Sequence, residues 1–157
     1  MADHHLAQLN VATMLAPLDS PVMAGFVAGL EPINALADRS PGFVWRLQTE
    51  DGDATSIRVF DDDMVIINLS VWEDVEHLRR FVYSGDHLEI FRRRTDWFSA
   101  TDKDHLVLWW VESGHQPSVH EAAERLELLR RDGPTPEAFT FGRQFSPRAR
   151  AEGENIV

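Results

Sequence analysis

His87 is the residue of this sequence best suited to proton transfer, because an imidazole titrates near neutral pH and can act as acid or base. On a continuous helix Phe91, Arg94 and Phe98, four, seven and eleven residues onward, would share its face. A base, a cation and aromatic walls at that spacing suit removal of a proton from a phenolic or enolisable molecule. Arg94 would then stabilise the anion formed. The competing reading has His87 packing at a helix break and Arg94 pairing with a carboxylate.

Other chemistries lack their residues. Cysteine is absent, which excludes disulfides, thiolate metal sites and a cysteine nucleophile. No G-x-S-x-G, phosphate-binding glycine loop, dinucleotide fingerprint or H-E-x-x-H occurs, so serine hydrolase, P-loop, Rossmann and zincin mechanisms have no sequence support. Asp61-Asp62-Asp63 and the acidic stretch 50–53 lack the calcium-loop pattern and read as turns.

Polar side chains inside apolar runs form a second set of candidates. Asn10, Asn68 and Ser70 each interrupt a strand-like pattern, and a buried amide must find a partner in the protein or in a ligand. Trp45, Trp72, Trp97, Trp109 and Trp110 are too many for one core face, and the adjacent Trp109 and Trp110 must point to opposite sides of a strand. Trp45, Trp72, Trp97 and Trp109 join Phe91 and Phe98 as candidate substrate-binding aromatics, with Asn10 and Asn68 as the polar ones.

The elements that would position these groups follow from periodicity. Leu6 to Ala12 alternates as a strand; Ser20-Pro21 opens a helix running to about Asp38, with Pro32 inside it. Phe43 to Gln48 and Ile57 to Phe60 read as a hairpin around Asp51-Gly52, and Met64 to Trp72 as a strand with Val65, Ile67, Leu69 and Val71 on one face. A long helix from Glu73 to Phe98 follows, open to a break at Ser84-Gly85-Asp86, and then a dense apolar strand from Leu106 to Val111. Ser118-Val119-His120-Glu121 has the capping-box form and starts a helix that ends at Gly133-Pro134. The three phenylalanines of 139–145 predict a last strand, and the tail at 148–157 is polar.

This order is β-α-β-β-α-β with a helix-strand appendage. It predicts an α+β, ferredoxin-like split βαβ sheet with helices on one face, in a single domain over 1–147 whose C-terminal extension spans 113–147. Such a sheet leaves its second face bare, so a homodimer through that open face is expected.

The chain has 157 residues and a net charge of −11. Residues 1–76 hold 13 acids and 3 bases, whereas 77–157 hold 13 acids and 12 bases. That balance opposes nucleic-acid and membrane-surface partners, and the N-terminus lacks the basic region of a signal peptide, so a cytoplasmic protein is expected. Most of the bases sit in the second half, so an anionic small molecule could still be received there.

Several stretches carry a resemblance. Gly42-Phe43-Val44-Trp45-Arg46-Leu47-Gln48, Asn68-Leu69-Ser70-Val71-Trp72-Glu73, His87 to Phe98, Leu108-Trp109-Trp110-Val111 and 133–141 resemble an uncharacterised bacterial family, a domain of unknown function. That family is placed in the dimeric α+β barrel superfamily, beside antibiotic-biosynthesis monooxygenases and haem-degrading monooxygenases. The resemblance implies a small-molecule protein, monooxygenase-like and independent of a bound cofactor, acting on an aromatic or polyketide-like substrate through His87 and Arg94. A cyclase or isomerase using the same groups, a non-catalytic ligand-binding or stress-response protein, and a haem-binding protein are the alternatives. The last rests on the likeness of Asn10, Trp72 and His87 to the Asn-Trp-His set of the haem-degrading members, from which the Trp-to-His spacing departs.

Overall fold

The computed structural model describes residues 3–48, 64–100 and 103–147. Strands β1 (His4–Thr13), β2 (Phe43–Arg46), β3 (Val65–Trp72) and β4 (Leu106–Glu112) form an antiparallel sheet in the order β2-β3-β1-β4. This is the split βαβ arrangement that the element order predicts. Central β1 sets Leu6 opposite Trp72, Gln8 opposite Ser70 and Asn10 opposite Asn68. Because side chains alternate, Leu6, Gln8, Asn10 and Ala12 share one face with Ser70 and Trp72, and Ala7, Leu9 and Val11 share the other with Leu69 and Val71.

The first face carries most of the helices: α1 (Ala24–Asp38), α2 (Val75–Val82), α3 (Gly85–Arg92) and α4 (Arg94–Trp97). A short 3-10 turn, Pro21–Met23, leads into α1, with Pro at its start as expected. Helix α1 runs on through Pro32, whose missing N–H leaves the Ala28 carbonyl to water at an exposed position. Asp74 caps α2 by accepting from the His77 N–H at 2.9 Å.

The single long helix expected over 73–98 is three pieces. Its break at Ser84 lies where Ser84-Gly85-Asp86 forecasts one; the second, at Arg93, is not signalled by composition. There the Arg93 N–H bonds the carbonyls of Ile90 and Phe91, closing α3 in a tight turn. The redirected chain buries Trp97, bridges Phe98 to Met14 and accepts at the Trp97 carbonyl from the Leu15 N–H at 2.8 Å.

Glycine permits two close approaches on this face. A Cβ at Gly29 would meet Ile90 Cδ1 at 2.7 Å, so the end of the Ile90 side chain would have to turn aside to admit one. Gly42, at φ +83°, lies against the ring of His77, which a Cβ would strike.

Helix α5 (Val119–Asp132) packs on the second face instead. Ala122, Leu126 and Leu129 bury against Ala7, Leu9, Val107 and Trp109, each worth about 1.5–3 kcal/mol when fully buried if a Leu or Val. The chain therefore covers over β1 and β4 a face that the element order alone leaves bare. Half of the expected capping box forms: Ser118 Oγ accepts from the Glu121 N–H at 3.0 Å. The Glu121 carboxylate turns to the sheet, accepting from Trp109 Nε1 at 3.0 Å and meeting His115 Nε2 at 2.7 Å.

The strand expected over 139–145 is a correction. Only Phe139 pairs, exchanging two 2.8 Å backbone bonds with Leu108 on the outer edge of β4. Thr140 and Arg143 then close a turn on each other, and the alternating phenylalanines serve as plugs: Phe139 is fully buried, and Phe141 and Phe145 pack on the same cluster. The hairpin partner at 57–60, the acidic turns and the tail lie outside the described residues. Among the described residues, no helix is long and apolar enough to cross a membrane.

Candidate functional site

The helix-bearing face of the sheet is not uniformly apolar. At one end Leu6, Trp72 and Leu108 pack with Leu78, Phe81 and Phe139; at the other Ala12, Met14 and Ile66 pack with Met23, Phe26, Ile90 and Trp97. Between these clusters the strands present Gln8 and Asn10 from β1 and Asn68 and Ser70 from β3. Asn10 and Asn68 stand opposite one another near the middle of the sheet, and both are exposed. Both amides can therefore be reached from solvent.

A hydrogen-bond network fixes the strip. Gln8 Nε2 donates to Asn68 Oδ1 at 2.6 Å and to Ser70 Oγ at 2.7 Å, and Trp72 Nε1 donates to Ser70 Oγ at 2.9 Å. Gln8, Ser70 and Trp72 are buried, which makes these bonds obligatory and holds the exposed Asn68 by its oxygen. Arg46 of β2 stands opposite Ser70 in register, with its guanidinium bound to both carboxylate oxygens of Asp38 at 2.7 and 3.2 Å.

His87 approaches the strip through two rings. Trp72 stacks on Phe81 with centroids 5.2 Å apart, and Phe81 meets the His87 ring edge-on at 5.0 Å. Burial pushes the His87 pKa below the ordinary histidine value, with hydrogen bonding to the Val82 backbone opposing it. The imidazole is therefore held neutral at pH 7, and its buried Nδ1 has no hydrogen-bond partner.

The structure brings together Asn10, Asn68 and Trp72, with His87 behind Phe81. It does not bring Arg94 to His87. Helix α3 ends at Arg92, so the seven-residue helical spacing is lost, and the exposed Arg94 folds onto Phe91 with its guanidinium carbon 4.1 Å from the ring centroid. Phe91 is itself exposed. Trp97 and Phe98 lie in the apolar cluster at the Ala12 end, around Phe26. Trp45 and Trp109 are on the opposite face, packed with the α5 cluster. Trp110 does point away from Trp109, donating to the Phe145 carbonyl at 2.7 Å. Gln8, which organises the strip, is not singled out by the sequence; its signal is the parity it shares with Asn10 on β1, opposite Ser70 and Asn68 on β3.

A comparison with curated proteins gave no match. Among solved structures, the chain is similar to SnoaB, a cofactor-independent oxygenase from Streptomyces nogalater, at 19% identity and a TM-score of 0.47, covering 75% of this chain and 98% of that one. It is also similar to a conserved protein from Methanosarcina mazei, at 12% identity and a TM-score of 0.48 over 70% and 93% of the two chains. A third is Rv0793 from Mycobacterium tuberculosis, at 9% identity and a TM-score of 0.46 over 73% and 99%. A family model matches residues 5–155, nearly the whole sequence and every strand and helix described above, and the chain therefore belongs to the family described as a domain of unknown function, DUF3291.

Proposed function

We propose that the exposed amides Asn10 and Asn68, on a strip braced by the buried Gln8, Ser70 and Trp72, bind a small hydroxylated or carbonyl-bearing aromatic molecule, and that the protein oxidises it with dioxygen without a bound organic cofactor. The observation that carries this reading is the exposed amide pair near the middle of the sheet, bounded at both ends by aromatic clusters. Amides orient oxygen atoms and the clusters accept flat apolar surface. His87, neutral at working pH and packed behind Phe81, is the base, and it reaches the strip only when the Phe81 ring swings aside. Removal of a proton from a CH2 activated by a ring and a carbonyl gives a carbanion that can reduce dioxygen. One oxygen atom enters as the new carbonyl and the other leaves as water, so CH2 and O2 become C=O and H2O with no external reductant.

Oxygen uptake with a panel of enolisable hydroxyaromatics tests this. Turnover in the wild type, and its loss in Asn68→Ala and His87→Gln, is expected; binding without oxygen uptake across the panel refutes oxygenation. A second reading, ligand binding without turnover, is favoured by the Phe81 ring against which the His87 ring packs.

A further inference from the structure

We propose that Gln8 is a positioning residue that makes the strip a hydrogen-bond donor surface, so that the ligand is held as an oxyanion. An indole N–H can only donate, so Trp72 Nε1 must be using a lone pair of Ser70 Oγ. The contact between Gln8 and Ser70 could in principle run either way. The backbone decides it: the same Gln8 atom lies 3.4 Å from the Asn68 carbonyl oxygen as well as 2.6 Å from Asn68 Oδ1. An amide oxygen there would face another oxygen, whereas a nitrogen finds acceptors on every side, so the atom is Nε2.

Both Gln8 N–H groups are used, one on Asn68 Oδ1 and one on Ser70 Oγ. Ser70 Oγ then accepts from two donors, and its own proton is left to give. Asn68 has its oxygen turned toward Gln8, so the NH2 is the end of the exposed amide turned away from that bond. A buried glutamine that touches no ligand thus sets the polarity of the residue that does. An NH2 donor presented to a bound hydroxyl favours its charged form over the neutral one.

This inference rests on the aromatic-binding reading above, and its test separates the two. The probe is 4-nitrophenol, whose phenolate absorbs at longer wavelength than the phenol, titrated with protein at a pH about one unit below the free probe's pKa. Bound wild-type probe is expected to be about tenfold richer in phenolate than free probe, a shift of about one unit in its pKa. Gln8→Glu places acceptor oxygens against Asn68 and Ser70 and is expected to return the bound ratio to that of free probe or below it.

Bound probe with unchanged ionisation in the wild type, or an enriched phenolate that survives Gln8→Glu, overturns the proposal and leaves the binding reading standing. No binding, read by tryptophan quenching, overturns both. Should Gln8→Glu not fold, 15N spectra of the wild type decide. The Asn68 side-chain NH2 pair, assigned by its loss in Asn68→Asp, is expected to shift on adding 4-nitrophenol, and a pair that does not move overturns the proposal.

Discussion

Trp109 and Glu121 offer a measurable link between the sheet and α5. Trp109 is fully buried, and its one polar atom donates to Glu121 Oε2 at 3.0 Å. Replacing Trp109 with Phe removes a bond to a charged acceptor, worth about 1.5–3 kcal/mol, and leaves a cavity costing about 1 kcal/mol more. The Glu121 side chain is 23% exposed, so the lower half of the first range applies and the total is about 2.5–3 kcal/mol. Glu121→Ala strands the buried indole N–H at about 1–3 kcal/mol, whereas Glu121→Gln keeps an oxygen acceptor and costs under about 1 kcal/mol. Urea unfolding of the wild type, both single variants and Trp109→Phe/Glu121→Ala, followed by far-UV circular dichroism, gives the coupling. The double variant is expected to fall short of the sum by about 1–2 kcal/mol. A coupling under about 0.3 kcal/mol would refute the view that this bond docks the helix.

Three further outcomes are expected. Gly42→Ala forces a Cβ into the His77 ring at a positive φ and lowers stability by about 2–4 kcal/mol in the same urea assay. Asp74→Ala removes the α2 cap and costs about 1 kcal/mol, partly recovered by Asp74→Ser. The His87 pKa is lowered by burial, so the unfolded chain takes up the proton first as pH falls; stability is present above about 6.5 and declines below it. In thermal melts across that window His87→Leu should show a shallower decline than the wild type, and parallel curves would contradict the burial argument.

Strand-face chemistry was legible in the sequence because alternation has period two: Asn10, Asn68 and Ser70 stand out against their neighbours, and the strands put them on one face. Gln8 has the same parity, but a glutamine beside Leu9 looks like an ordinary solvent-facing residue until β3 is placed opposite it. Helix-face chemistry was less legible. The link from His87 to Arg94 assumes an unbroken helix, and the turn at Arg93 depends on tertiary demand, the burial of Trp97 and the pairing of Phe98 with Met14. The Phe139, Phe141 and Phe145 alternation imitates a strand, yet Thr140 and Arg143 turn the chain between them. Glu121 fits a capping box by spacing, and only the packing of α5 reveals that its carboxylate has a stronger claim from Trp109.

The division of the helix-side interior by a polar strip bears on how the molecule breathes. Two apolar clusters that meet only across amides need not open together, and α3 touches both, through His87 against Phe81 and through Ile90 beside Trp97. Lifting α3 gives up its contacts at each end while the hydrogen-bond ladder of the sheet stays closed, a sub-global event well below the free energy of complete unfolding. Amides of α3 should accordingly exchange with solvent as their own cooperative unit, ahead of those of β1 and β3. The route by which a flat molecule reaches the sheet would be written in that order of exchange.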